Sequence, residues 1–343
     1  MAELEPKYGD PNAYEKVVLA SGYAHPDLAD TTALAMGIDL GQVTHSSFLD
    51  TELWARYDDS VRGNNVFIMQ SHVATEDGRS VNDAIFEQLI MIEAAKSSSS
   101  SFITAVCPYL GYARQDRKVV GRDPVSIRVV LNTLAVMGAQ RIVAIDMHSP
   151  QSQAIFNGPF DHLTAQPLLR AAATESIASF DPEQCMIVSP DVGAAKMSEI
   201  HRDKMGVGLL HLTKTRSHED TSKITRSNKK VDGVDGMVCL MFDDMIATAS
   251  TLRTASETLK DSGAERIVVA ATHGLFTGDA FKNLRDAPID EVIITDTLPV
   301  GKACRNIGDK LRVVSVAPMI GRALFEIITD GSVSKIFEEQ NYS

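Results

Sequence analysis

Cysteine is scarce in this chain of 343 residues: Cys107, Cys185, Cys239 and Cys304 are widely scattered and form no Cys-x-x-Cys pair. That spacing argues against a disulfide framework and against a thiolate metal site. Cys107 and Cys239 fall in apolar, strand-like runs and read as buried thiols. A basic excess is also missing, since 33 Lys and Arg face 45 Asp and Glu for a net charge of −12. Such a chain has nothing spare to neutralise a nucleic-acid backbone, which argues against that partner. A nucleotide substrate stays open, because it needs only a local cluster of cations. Long apolar runs are absent too: none reaches the ~18 residues that a membrane span requires. The first residues, Met1-Ala-Glu-Leu-Glu-Pro-Lys7, are charged where a signal peptide would be apolar. The expectation is a soluble, cytoplasmic protein with no membrane partner.

What is present is a full apolar complement, 44% of residues, in a length suited to two ordinary domains. Short β-branched runs alternate with helical patterns from end to end. The runs at 16–21, 65–70, 102–107, 141–146, 186–189, 237–242, 266–272 and 291–295 read as strands, and 82–96 and 127–137 as helices. Alternation of this kind predicts α/β architecture, a mainly parallel sheet covered by helices on both faces. Ser97 to Ser101 reads as a helix-ending loop, too short for a domain linker.

A repeat runs through this pattern. Thr133-Leu134 and Gly138-Ala-Gln-Arg-Ile-Val143 recur as Thr258-Leu259 and Gly263-Ala-Glu-Arg-Ile-Val268, at a constant offset of 125 that also superposes His148 on His273. Glycine is a frequent helix C-cap, so convergence can imitate such a match. Seven coincident positions with a shared histidine favour a duplicated domain.

Four segments carry chemistry. In Met241-Phe-Asp-Asp-Met-Ile-Ala-Thr-Ala-Ser-Thr-Leu252, an apolar run ends in two carboxylates, then small residues lead to a helical pattern from Leu252. A strand, a tight loop and a helix N-terminus favour a phosphate, and Asp243 and Asp244 add acceptors for sugar hydroxyls or a metal ion. An ordinary βα turn with an acidic approach and a Thr cap reads the same residues equally well. Cys107-Pro-Tyr-Leu-Gly-Tyr-Ala-Arg-Gln-Asp-Arg-Lys118 leaves a strand for a loop with three cations in five residues, with Tyr109 and Tyr112 as a nucleotide platform or simply beside a solvated basic loop. Asp146-Met-His-Ser-Pro-Gln-Ser-Gln153 and Ser189-Pro-Asp-Val-Gly-Ala194 place His148 and Asp191 at strand C-termini, the ligand edge of a parallel sheet. One His and one Asp, with water and phosphate oxygens, suit Mg²⁺ better than Zn²⁺. Finally, Leu212-Thr-Lys-Thr-Arg-Ser-His-Glu-Asp220 opens a polar stretch without apolar periodicity, read either as a lid over phosphates or as a solvated charge run.

Taken in this order, the motifs resemble the class I ribose-phosphate diphosphokinases, the phosphoribosyl pyrophosphate (PRPP) synthetases. Pro108-Tyr-Leu-Gly-Tyr-Ala-Arg-Gln-Asp-Arg117 is nearly a verbatim family signature, joined by Ser189-Pro-Asp-Val-Gly193, Thr272-His-Gly274, Thr295-Asp-Thr-Leu-Pro299, Ser60-Val-Arg-Gly63 and Asn82-Asp83. The likeness runs from Ser21 to Phe337. It implies two homologous phosphoribosyltransferase-like α/β domains, the first at 1–160 with 322–343 packing back on it, the second at 161–321. It implies transfer of diphosphate from MgATP to O1 of ribose 5-phosphate, with Mg²⁺ as cofactor. ATP would be bound by Phe48, Asp50, Thr51 and Glu52, reaching a neighbouring subunit, together with Arg114, Gln115 and His148. Ribose 5-phosphate would be bound by Arg216, Asp243, Asp244, Ala247, Thr248, Ala249, Ser250 and Thr251. Lys214 and Arg216 would be catalytic, and His148 and Asp191 would lie at the metal. A dimer-based homohexamer, with phosphate or ADP as effectors, is implied as well.

The chain departs from the family pattern in places. The sugar-phosphate loop usually reads Asp-Asp-x-x-Asp-Thr-x-Gly-Thr, and here Ala247 replaces a carboxylate and Ser250 a glycine. Thr51 stands where glycine is usual, and the basic loop keeps Lys214 and Arg216 but lacks a second Arg and a following Pro. These changes leave a catalytically weak regulatory paralogue as an alternative. A phosphoribosyltransferase is a further alternative, against which the ATP-side motifs argue.

Overall fold

The computed structural model describes residues 11–191, 193–212 and 230–337. The first half runs β1 (Val17–Ser21), α1 (Pro26–Met36), a hairpin of β2 (Val43–Ser47) and β3 (Leu53–Tyr57), β4 (Asn65–Met69), α2 (Val81–Ser97), β5 (Phe102–Cys107), α3 (Ser126–Met137), β6 (Arg141–Ile145) and β7 (Phe160–Leu163). The second half runs α4 (Gln166–Ser176), β8 (Cys185–Ser189), α5 (Ala195–Met205), β9 (Gly208–His211), β10 (Val238–Ile246), α6 (Ser250–Asp261), β11 (Arg266–Gly274), α7 (Ala280–Asp286), β12 (Glu291–Thr295), α8 (Gly301–Ile307), β13 (Leu311–Val314) and α9 (Ala317–Ile328).

Two parallel sheets result, ordered β1-β4-β5-β6-β7 and β13-β12-β11-β10-β8-β9. Their strands are apolar at almost every position because both faces are covered. Along β4, Val66 and Ile68 pack toward α2 and α3, while Phe67 and Met69 pack toward α1 and α9. Along β10, Cys239 and Met241 enter one core, and Leu240 and Phe242 enter the other, against α4. Helix α9 leaves the second sheet and lies on α1, Met319 and Ile320 joining Leu28 and Met36 in one cluster. Cys107 and Cys239 are buried free thiols, burial pushing each up to about 12.

The repeat is structural. The α3–β6 unit and the α6–β11 unit correspond, and in each the glycine after the helix, Gly138 at φ 134° and Gly263 at φ 97°, takes a conformation that side chains resist. A Cβ on Gly263 would lie 2.2 Å from Asp235 Oδ1, so this position is fixed by space as well as by φ. The two repeat histidines do not share a setting, however. His148 lies beyond the end of β6, whereas His273 lies inside β11 and is buried.

Sequence patterning places the eight strands within a residue or two at their N-terminal ends. Two continue further than their apolar runs: β10 carries on through Asp243 and Asp244 to Ile246, and β11 reaches Gly274. Ladder bonds to a buried neighbour override the polar pattern there, since Met245 pairs with His273 and Ile246 with Gly274. The carboxylates are therefore held by a strand rather than by a loop.

Candidate active site

The C-terminal edges of the two sheets face each other across a buried polar seam. The Thr272 hydroxyl donates to Asp146 Oδ2 at 2.6 Å, His273 Nε2 lies 3.1 Å from the Ile145 carbonyl, and the Ser71 hydroxyl donates to the Thr297 carbonyl at 2.6 Å. Burial holds the His273 imidazole below its ordinary value, so it serves the seam as a neutral ring. Tyr109 packs edge-on to that ring at 5.0 Å and is spent on the seam. Only Tyr112, turned outward through φ 64° with its hydroxyl on Asn82, is exposed beside the basic loop.

This seam aims the end of β6. Asp146 sits in the left-handed region at φ 35°, where a short polar side chain is tolerated, and its Oδ2 also accepts the Ala165 N–H at 2.9 Å. The next N–H, of Met147, donates to His162 Nε2 at 2.9 Å. With both preceding residues pinned, His148 projects into a cavity of about 680 Å³. Into the same cavity point Arg114, Asp191, Asp243, Asp244 and residues 247–251.

His148 Nδ1 meets Asp244 Oδ2 at 2.7 Å, a contact between the two sheets. That bond raises the imidazole's affinity for a proton, against the opposing effect of partial burial. Burial works against the Asp244 charge, but hydrogen bonds from His148 and Asp243 overcome it and hold this carboxyl below the usual range. Asp243 behaves oppositely. Burial, the Asp244 charge and, more weakly, the Asp191 charge push it up to about 8. Carboxyl groups crowded in this way fit a hard divalent cation. Among the described residues no cluster of three or more His, Cys, Asp or Glu forms a ready-made cage. The mainly carboxylate donors here, Asp191, Asp243 and Asp244, are of the kind that suits an oxygen-preferring ion such as Mg²⁺.

The small-residue loop ends at Ala249, left-handed at φ 57°, and α6 starts at Ser250, two residues before the apolar pattern suggests. Ala249 occupies the cap position and offers no side-chain hydrogen bond, so the Thr-capped turn is not what forms. The first N–H groups of α6 therefore receive no side-chain cap from Ala249, and the positive end of the helix dipole lies behind them. Asn283 Nδ2 holds the loop by donating to the Thr248 carbonyl at 2.8 Å, and the Thr277 N–H donates to Ala247 at 2.9 Å.

Other predicted residues lie elsewhere. Phe48, Asp50, Thr51 and Glu52 form the tip of the β2–β3 hairpin, away from this cavity, with Phe48 60% exposed and Leu49 fully so. Thr51 sits at φ 75°, the backbone conformation for which glycine is suited. Gln115 lies on the basic loop, its amide oxygen accepting from the Ser126 hydroxyl. Lys214 and Arg216 lie outside the described residues. Sequence reasoning did not find Lys196, Met197 and His201, which α5 places at the cavity, because a helix face five to ten residues beyond Asp191 carries no local motif.

With this geometry in view, comparison with known proteins is direct. Residues 17–138 match the family model for the N-terminal domain of ribose phosphate pyrophosphokinase, and residues 210–338 match the phosphoribosyl synthetase-associated domain. A ribose-phosphate pyrophosphokinase of Bifidobacterium longum is 40% identical over 325 residues, 94% of this chain and 93% of that protein. One from Streptomyces coelicolor is 38% identical over 95% of this chain and 97% of its own. The crystal structure of phosphoribosylpyrophosphate synthetase from Mycobacterium smegmatis superposes with a TM-score of 0.81 at 38% identity, covering 92% of this chain and all of that one. The fold is thus that of two phosphoribosyltransferase-like domains, and the chain is a transferase. This chain is a member of the ribose-phosphate pyrophosphokinase family. Among the described residues no helix is long and apolar enough to cross a membrane.

Proposed function

We propose that this protein transfers the diphosphoryl group of ATP to O1 of ribose 5-phosphate in the cytoplasm, through the residues gathered in the 680 Å³ cavity. The bond from O1 to the β-phosphorus forms as the bond from that phosphorus to the α-phosphate bridging oxygen breaks; AMP leaves, and the O1 proton is released to solvent. The observation that supports the assignment is the His148–Asp244 contact, which brings a histidine beyond β6 of the first sheet and a carboxylate on β10 of the second within 2.7 Å.

The uncapped start of α6 takes the 5-phosphate, with Thr248, Ser250 and Thr251 hydroxyls around it. Asp243 and Asp244 accept hydrogen bonds from ribose hydroxyls and fix the direction of O1. Arg114 and Gln115 hold the nucleotide, and the exposed hairpin tip from Phe48 to Glu52 serves the ATP of a second copy in a dimer-based hexamer. His148 and Asp191 would hold Mg²⁺, which when bound would supply positive charge to offset that of the transferring group. Lys214 and Arg216 meet the negative charge that grows on the bridging and β-phosphoryl oxygens. On this reading residues 1–160 with the C-terminal segment 322–343 form the ATP side and 161–321 the sugar side, and phosphate or ADP acts as effector.

The test is a coupled assay of AMP release from ATP and ribose 5-phosphate with Mg²⁺. AMP and PRPP in equal amounts are expected. ADP or orthophosphate as the product, or no turnover, overturns the assignment.

A further inference from the structure

Below the cavity floor a directed chain of hydrogen bonds crosses both domains. Its direction can be worked out from one end. A carboxylate only accepts, so the Thr272 hydroxyl spends its single proton on Asp146 Oδ2 at 2.6 Å. Thr272 Oγ1 must then accept the bond it shares at 3.1 Å with Gln166 Nε2. That orients the amide and leaves Gln166 Oε1 facing His201 Nε2 at 3.0 Å, so His201 must carry its proton on Nε2. The remaining nitrogen agrees: His201 Nδ1 is buried with no partner among the described residues, a bare lone pair rather than an orphaned N–H. His201, Gln166 and Thr272 are each at most 3% exposed.

The far side of the same imidazole is stacked on Phe242, ring centres 3.7 Å apart and planes within 11°. Phe242 immediately precedes Asp243 on β10. The contacts therefore close on themselves around the site. From His201 the hydrogen bonds lead to Asp146, two residues from His148; His148 meets Asp244; and β10 returns through Phe242 to His201. One buried ring braces the strand that bears the sugar-side carboxylates and is tied to the turn that presents the histidine on the ATP side.

We infer that His201 is a positioning residue, which with Gln166 holds Asp243 and Asp244 in register with His148 for the ribose hydroxyls. The inference rests on the reaction proposed above. It gives this helix position a role in substrate selection that no motif marks. Burial keeps the ring down at about 3, so it stays neutral through the working range and the chain of donors is constant.

The test is kinetic. His201→Phe keeps the stack and breaks the bond to Gln166, while Gln166→Leu breaks it from the other side. Each is expected to raise KM for ribose 5-phosphate about tenfold with KM for ATP unchanged, and the double variant should be no worse than either single one, because the two act as a unit. His201→Gln, which restores an N–H donor, should recover part of the loss. A variant that loses thermal stability but keeps both KM values, or two effects that multiply, overturns the inference. The imidazole nitrogens of ¹⁵N-histidine-labelled parent and Gln166→Leu provide a second measurement that needs neither turnover nor the His201 variants. A pure Nε2–H tautomer in the parent and a mixture in Gln166→Leu support the chain, and a mixture in the parent overturns it. If the parent releases no AMP while the tautomer is pure, the reaction assignment fails and the hydrogen-bond chain stands.

Discussion

Replacing Asp243 by Asn should change how stability depends on pH, by an amount the site geometry sets. Asp243 is raised from an ordinary 3.8 to about 8, so the folded protein keeps a proton that the unfolded chain has released. Its contribution is complete below the unfolded value and is lost as pH rises toward the folded one. The slope of that loss is one proton, about 1.4 kcal/mol per pH unit, whatever the folded value is. Two neighbours titrate outside the useful window. Asp244 is lowered and gives stability present above about 3.8 and lost in acid, while His148 is raised and acts only above about 6.5. Buried histidines held low, His201 and His273 among them, add an opposite slope common to both proteins, so between pH 4.5 and 6 the Asp243 effect is read from the difference between parent and variant and amounts to about 2 kcal/mol. Asn keeps an oxygen for the Asp244 N–H, which donates to Asp243 at 2.8 Å, and removes the titration. Urea unfolding in chelator at four pH values across this window should give a parent whose stability has a slope against pH lower than that of Asp243→Asn by about 1.4 kcal/mol per unit. Parallel lines for the two proteins would refute the reasoning. With Mg²⁺ present the parent's slope should flatten, since a cation takes the place of the proton.

Further expectations concern the departures from the family pattern and the proposed machinery. Thr51→Gly relieves a left-handed β-branched residue of strain of about 1–2 kcal/mol and adds glycine's chain entropy of about 0.5–1, so a net gain of up to about 1.5 kcal/mol is expected in thermal unfolding. Ala247→Asp with Ser250→Gly restores an acceptor and opens the loop, and kcat/KM for ribose 5-phosphate should rise about tenfold, or about 1.4 kcal/mol; a decline means that the loop works as it stands with small residues. Lys214→Ala should lower kcat about 100-fold with little change in nucleotide affinity, and a change in KM alone would make it a binding residue. Dilution monitored by sedimentation should abolish turnover as the assembly dissociates, and a monomer turning over at full rate removes the shared ATP site.

What could be read from the sequence followed from local repetition. Strands β4, β5 and β6 are apolar on both faces, so burial leaves a signal at every residue, and the Gly138 and Gly263 repeat exposes the duplicated unit because positive φ admits few substitutes. The edge strands β7, β9 and β13, four residues each, left no comparable signal, because short half-exposed strands carry little pattern. Among site residues, His148, Asp191, Asp243 and Asp244 stand in short motifs at strand ends and do converge on one cavity. Burial decides the fate of the others. Tyr109 looked like a nucleotide platform and is an interdomain wedge, while His273 looked like a second His148 and is a neutral seam residue. The same physical rule separates them from His148: an imidazole keeps proton-binding capacity where a carboxylate reaches it near solvent, and loses it where burial strips away its water more than its carbonyl contacts restore. Sequence spacing places all three rings at strand ends, but the partner that decides each role arrives from the other domain, more than 90 residues away for the His148–Asp244 pair.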